Sequence, residues 1–162
     1  MHGANRTGRP FTGDYAGELL YRTLHAFGWS SDPVSRDRAD GLILRGVRIT
    51  NAVKCWPPEN KPLPEEIRTC NRFLAEELAA IPSGTAVLAL GRIAHDAVLK
   101  ALGLRGRDHP FAHAAAHALP GHSRLFDSYH CSRYNTQTRR LTDEMFESVF
   151  EDIQTWLGRA PR

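Results

Sequence analysis

The stretch TAVLALGRIAHDAVLKALGL, residues 85–104, joins the two patterns that decide the fold class. Its first part, TAVLALG, is a near-continuous apolar run, which is typical of a β-strand covered on both faces. The part that follows, GRIAHDAVLKALGL, spaces its apolar residues at helical intervals and predicts an α-helix. Because a strand that runs directly into a helix is a building unit of parallel sheets, we expect an α/β fold.

Alternating strands and helices flank this unit on both sides. Helices are predicted at residues 16–29, 65–81 and 142–158, and strands at residues 47–55 and 124–130. Thr142 or Asp143 is suited to cap the last helix, and four prolines forbid regular structure between residues 56 and 66. This order predicts a parallel sheet with helices on both faces.

The composition is that of one globular domain. The chain has 162 residues, of which 41% are hydrophobic, enough to bury a sizeable core. No apolar run approaches the roughly 20 residues that span a bilayer, and the N-terminus lacks the apolar core of a secretion signal. We therefore predict a single domain over residues 1–162, located in the cytoplasm, with no membrane partner.

Arginine outnumbers lysine by 18 to 3, although the net charge is only +3. The arginines cluster in loop-like stretches, and the guanidinium fork suits phosphate oxygens, so these loops are candidates for a nucleic-acid face. A general preference for arginine codons in the source genome would produce the same count. Composition alone leaves the two explanations open.

Histidines and cysteines raise the question of metal binding. In HPFAHAAAHALPGH, residues 109–122, His113 and His117 would share a helix face if this stretch were helical, but no carboxylate or cysteine joins them at ligand spacing. We therefore predict a surface loop there rather than a metal site. Cys55 and Cys70, with fourteen residues between them, are equally consistent with buried thiols and with metal ligands.

Three segments carry a family resemblance: GANRTGRPFTGD (3–14), ITNAVKCWPPENKPLPEEIRTC (49–70) and SYHCSRYNTQTRRLT (128–142). Together they resemble the family 5 uracil-DNA glycosylases, and more distantly the iron–sulfur family 4 enzymes. The resemblance implies an enzyme that flips uracil or a related deaminated base out of DNA and hydrolyses its N-glycosidic bond. It also implies a three-layer α/β/α fold with a four-stranded parallel sheet.

The resemblance assigns roles to four residues. Phe11 matches the aromatic that stacks on the extruded base, and Asn51 the amide that reads its polar edge. His130 matches the group that stabilises negative charge on uracil O2, as a neutral or a protonated imidazole. Asp14 matches the acidic position of the first motif, which orients the attacking water or stabilises the cationic sugar.

The loop after His130 resembles the family's DNA-binding loop. Its hydroxyls, amides and arginine are the groups that enter a minor groove and grip flanking phosphates. The residues assigned to this contact are Ser132, Arg133, Asn135, Thr136 and Gln137. The family pattern usually has glycine where Arg139 stands, so the loop geometry here is expected to differ.

Cys55 and Cys70 match two of the four cysteines that hold a [4Fe–4S] cluster in these families. The other two, and the family's first strand, are expected upstream of Met1, so the chain is expected to be N-terminally incomplete. Either the start lies further upstream or the chain is a fragment with compromised activity, acting only as a DNA-binding module. No GxGxxG or GxxxxGK[ST] loop is present, which disfavours a nucleotide-processing enzyme. The expected partner is uracil-containing DNA, bound by a nucleoid-associated monomer.

Overall fold

A computed structural model of the chain describes residues 9–13, 15–52 and 64–158. The chain divides into two compact units, one made of Met1–Thr50 with His130–Arg162 and the other of Asn51–Tyr129. The helices are α1 (Tyr15–Ala26), α2 (Pro64–Ala79), α3 (Arg92–Ala101), α4 (Arg133–Gln137) and α5 (Asp143–Trp156). The strands are β1 (Ala86–Leu90), β2 (Ala116–Ala118) and β3 (Arg124–Ser128), and a 3₁₀ turn covers Gly106–Asp108.

The unit Asn51–Tyr129 contains a three-stranded sheet in the order β1-β3-β2. β1 pairs with β3 in parallel, from Ala86 opposite Arg124 to Leu90 opposite Ser128. A parallel pair requires a crossover connection, and α3 follows β1 directly to begin it. The α/β fold is thereby confirmed.

Two details of the predicted sheet are corrected. β2 pairs with β3 in antiparallel fashion, so the sheet is mixed and the stretch around His117 is a strand rather than a loop or helix. β1 lies at one edge of the described sheet, and only Ala89 of its residues is buried. An edge strand lacks a neighbouring strand on one side, and this explains why most residues of the apolar run keep part of their surface exposed.

Helices α2 and α3 pack together beside the sheet. The apolar cluster that they share with the strands consists of Leu74, Ala89, Ala97, Val98, Leu99, Leu119 and Leu125. The buried amide of Asn71 on α2 donates a hydrogen bond to the carbonyl of Ala97 on α3 at 2.8 Å. Because a hydrogen bond is directional, this buried contact fixes the position of α2 along α3 more closely than apolar contacts alone would.

The other unit is built around an aromatic cluster. Phe27 and Trp29, just past the end of α1, contact Phe150 of α5 with ring centroids 5.4 Å away in both cases. Phe146 lies 5.1 Å from Phe150 on the same helix. Thr142 is the N-cap of α5, because its hydroxyl accepts the N–H of Met145 at 3.2 Å.

The strand predicted at residues 47–55 does not form in its described part, residues 47–52. The ordered pairing nearest to it is an isolated bridge between Ser30 and Leu44. Its β-branched residues favour extended backbone, but a strand also needs a partner for its N–H and C=O groups. Residues 53–55 lie outside the described part. Among the described helices, none is long and apolar enough to cross a membrane.

Candidate active site

The segment that carries Phe11 is anchored through its neighbour Arg9. The guanidinium of Arg9 lies 3.1 Å from Asp40 Oδ1 and donates to Ser35 Oγ at 3.1 Å. Burial disfavours the charged form of Asp40, but the backbone N–H groups of Leu42 and Arg36, with Arg9, outweigh it and lower its pKa to about 2. The carboxylate therefore stays ionised and holds Arg9 at neutral pH.

Phe11 itself has an unusual backbone, with φ at 56°. This left-handed conformation costs a non-glycine residue about 1 kcal/mol or more, so the surroundings must enforce it. Tyr21, buried in α1, donates to the carbonyl of Pro10 at 3.0 Å, and Thr12 donates to the carbonyl of Arg9 at 2.7 Å. These two hydrogen bonds hold the residues immediately before and after Phe11 in the turn.

Gly17 allows this turn to lie against α1. A Cβ added at Gly17 would stand 1.9 Å from the carbonyl oxygen of Phe11 and 2.8 Å from its carbon. No side chain fits at that distance, so the close approach of the Phe11 peptide requires glycine. Gly17 was not singled out from the sequence, because a glycine inside a helix gives no sign of what lies against it.

Phe11 and His130 lie together. Their ring centroids are 5.9 Å apart with an angle of 29° between the planes, and both residues are partly buried. Two residues that are 119 positions apart in sequence therefore present a flat aromatic face beside an imidazole. An aromatic ring and an imidazole in one place are the two groups that a planar, polar ligand would use for stacking and hydrogen bonding.

His130 lies two residues beyond β3, which ends at Ser128 rather than at His130 as predicted. The amide of Asn135 donates to the carbonyl of His130 at 2.8 Å. Ser132 caps the short helix α4, since its hydroxyl accepts the N–H of Asn135 at 3.4 Å. The loop after His130 is therefore folded back on itself.

The predicted DNA-contacting residues differ in what they expose. Arg133 and Gln137 are exposed, whereas Thr136 donates within the loop to the carbonyl of Arg133 at 3.0 Å. Tyr134 was missed by the sequence reasoning and is 71% exposed. A single aromatic residue in an otherwise polar loop was the available signal. Arg139, at the glycine position of the family pattern, has φ at 55° and so adopts the left-handed backbone that glycine prefers.

The remaining predicted residues are placed less completely. Asn51 is exposed and belongs to the unit Asn51–Tyr129. Asp14 and Cys55 lie outside the described residues. Cys70 is on α2 with 1% of its surface exposed. Of the two predicted ligand thiols only Cys70 is described, and one thiol does not define a cluster site, so the [4Fe–4S] cluster stays a prediction.

A polar cluster in the unit Asn51–Tyr129 was not foreseen. Asp127 on β3 is fully buried, and its two oxygens contact His95 Nδ1 at 2.8 Å and His117 Nε2 at 3.3 Å. Burial raises the pKa of Asp127, while the two neighbouring imidazoles oppose that rise. The cluster joins α3, β2 and β3, residues that are far apart in sequence, so spacing gave no indication of it.

Comparison with known proteins identifies close similarity. The model of the "Uracil DNA glycosylase superfamily" matches residues 1–154. The chain is 52% identical to the Type-5 uracil-DNA glycosylase of Thermus thermophilus over 157 residues. This alignment covers 97% of this chain and 71% of that protein. It is 42% identical over 159 residues to the Type-5 uracil-DNA glycosylase of Mycobacterium tuberculosis, covering 97% of this chain and 59% of that protein. A Type-4 uracil-DNA glycosylase of Archaeoglobus fulgidus is 38% identical over 88 residues, 54% of this chain and 37% of that protein.

Proposed function

Because the chain belongs to the uracil-DNA glycosylase superfamily, we propose that it is a DNA repair enzyme that releases uracil by hydrolysing the N-glycosidic bond. The observation that carries the proposal is the stacked pair of Phe11 and His130. An extruded base needs an aromatic face to lie on and a donor where negative charge develops. Phe11 would provide the aromatic face and His130 the donor, and their ring centroids are 5.9 Å apart.

The chemistry follows from the leaving group. When the glycosidic bond breaks, uracil leaves as an anion and the sugar gains oxocarbenium character. A donor at uracil O2 binds this charge more strongly than it binds neutral uracil, so it lowers the barrier rather than only the dissociation constant. We assign that donor to a ring N–H of His130, and the aromatic face to Phe11.

The other assignments rest on the family resemblance. The amide of Asn51 can donate to uracil O4 and accept from N3–H, which distinguishes uracil from cytosine. Asp14 orients the attacking water or stabilises the sugar cation. Arg133 and Gln137, both exposed, contact the DNA backbone beside the extruded base.

The proposal also covers cofactor and organisation. Cys55 and Cys70 would supply two thiolate ligands of a [4Fe–4S] cluster, and the other two ligands have not been assigned in this chain. The protein acts as a monomeric single domain on DNA that contains uracil or related deaminated bases. It works in the cytoplasm on the DNA of the nucleoid.

Single-turnover excision from a duplex with one uracil tests these roles. His130→Ala and Asn51→Ala should each slow release by about 10²-fold or more, while DNA binding, measured by fluorescence anisotropy, changes little. The control is His122→Asn, since His122 is exposed and has φ at 57°, which asparagine tolerates. Full activity in both alanine variants would remove the assignment.

Salt dependence separates phosphate contacts from base recognition. Arg133→Ala should weaken DNA binding. It should also reduce the slope of log affinity against log salt by about 1, the contribution of one phosphate contact. Arg133→Lys keeps the charge and should retain the slope. The preference for uracil over thymine should be the same in all three proteins, and a changed preference would contradict the phosphate assignment.

A further inference from the structure

We propose that His95, His117 and Asp127 form a binding site for a divalent transition-metal ion of the zinc type. The three side chains come from α3, β2 and β3, and one ligand atom from each lies within 4.8 Å of the others. Two imidazole nitrogens and one carboxylate oxygen are a common protein ligand set for Zn²⁺. None of these three residues is among those assigned to uracil release.

The spacing of the ligand atoms suits a small cation. Four ligands at about 2.0–2.1 Å in a tetrahedron lie roughly 3.3 Å from one another. His117 Nε2 stands 3.3 Å from one oxygen of Asp127, and His95 Nδ1 stands 2.8 Å from the other. All three ligand atoms lie within 4.8 Å of one another, so modest side-chain shifts would bring them to one cation.

The orientation of His95 is that of a metal ligand. Its Nε2 lies 2.9 Å from the carbonyl oxygen of His109, an acceptor that fixes the proton on Nε2. The other nitrogen, Nδ1, then faces Asp127. Histidines that bind metals almost always donate their second N–H to a carbonyl or carboxylate, which holds the ring in place.

Without a metal, the cluster needs a proton in each contact. Since the proton on His95 Nε2 is committed to a carbonyl, a second proton must lie between His95 Nδ1 and Asp127, and another between His117 and Asp127. A divalent cation replaces these protons and satisfies all three groups with one ion. His95 and Asp127 have 1% and 0% of their side-chain surface exposed, against 11% for His117. Solvent therefore has access from the His117 side and can supply the fourth ligand.

Close spacing of ligand residues in the sequence does not indicate this site. His117 lies in the histidine-rich stretch, but its carboxylate partner is ten residues away, across the β2–β3 pair. His117 is opposite Leu125, and Asp127 is two residues further along β3 on the same face. The pairing of two strands therefore supplies the carboxylate that local spacing lacked.

Zinc binding by the full chain, stripped with a chelator and titrated with Zn²⁺ against a chromophoric competitor, tests the proposal. Wild type should bind one zinc ion at this site. His117→Gln should bind it about 10²-fold more weakly or worse, because the amide keeps a donor for Asp127 but loses the imidazole ligand. Asp127→Asn should behave similarly, and His122→Asn, which changes an exposed histidine outside the cluster, should bind like wild type.

Cobalt(II) substitution in the wild-type chain keeps the test independent of whether a variant folds. Cobalt on two nitrogens and one oxygen should show visible d–d bands without a thiolate-to-cobalt charge-transfer band. A strong charge-transfer band at one equivalent would place the metal on cysteine and overturn the proposal. So would absence of one-to-one zinc binding, or equal zinc affinity in wild type and His117→Gln.

Discussion

Substitution of Gly17 by alanine tests whether the Phe11 turn is held against α1 as described. The added Cβ would lie 1.9 Å from the Phe11 carbonyl oxygen, whereas real Cβ contacts essentially never fall below 3.0 Å. The Phe11 peptide must therefore withdraw by at least about 1.1 Å. In an open helix, glycine to alanine would stabilise the protein by about 1 kcal/mol. Here overpacking costs about 1–3 kcal/mol, so we expect a net loss of up to about 2 kcal/mol.

The same displacement should impair excision more than it impairs stability. A misplacement of about 1 Å in a group that positions the substrate can cost about 10²-fold in rate. We expect Gly17→Ala to reduce the single-turnover rate of uracil release by that order, with the free energy of unfolding measured by urea denaturation. Gly106→Ala is the matched control, since a Cβ there has no atom within 4 Å. A Gly17→Ala protein that is about 1 kcal/mol more stable and fully active would refute the close approach.

Three further changes test separate parts of the structure. Arg139→Gly should raise the free energy of unfolding by up to about 1 kcal/mol, because a left-handed residue with φ at 55° is strained for arginine; a loss of stability in urea would contradict this. Asp40 has its pKa lowered from 3.8 to about 2, so its stabilising effect is complete above about pH 5 and is lost as the pH falls towards 2. Melting temperatures from pH 2 to 7 should therefore show less loss in acid for Asp40→Asn than for wild type, and parallel curves would contradict the assignment. Thr142→Ala should cost about 1 kcal/mol as a lost N-cap, and more than Ser148→Ala, whose hydroxyl donates to a carbonyl inside the same helix; equal effects in thermal denaturation would count against the cap.

Local patterns predicted most of the regular structure. The apolar run at residues 85–91 forms β1 and the periodic stretch after it forms α3, as predicted, and of the two residues predicted to cap the last helix, Thr142 is the N-cap of α5. These features depend on neighbours in sequence. The strand predicted at residues 47–55 was wrong over its described part because extended backbone forms a strand only if another segment pairs with it.

The site divides in the same way. The family resemblance pointed to Phe11 and His130, and the structure places their rings together, although their roles stay predictions. Gly17, Tyr134 and the buried Asp127 were not found. The close approach at Gly17, the exposure of Tyr134 and the contacts of Asp127 with two histidines are set by how distant segments pack. A single sequence does not reveal that packing.

The most direct test of the central claim is to detect free uracil. The purified chain, from cells that lack their own uracil-DNA glycosylase, is incubated with a duplex that contains one uracil, and with the same duplex carrying thymine instead. We predict that free uracil and abasic strand appear in equal amounts from the first duplex, that the thymine duplex stays intact, and that His130→Ala lowers the rate by about 10²-fold. Binding of the uracil duplex without release of the base, or release that is equally fast with His130→Ala, would contradict the account.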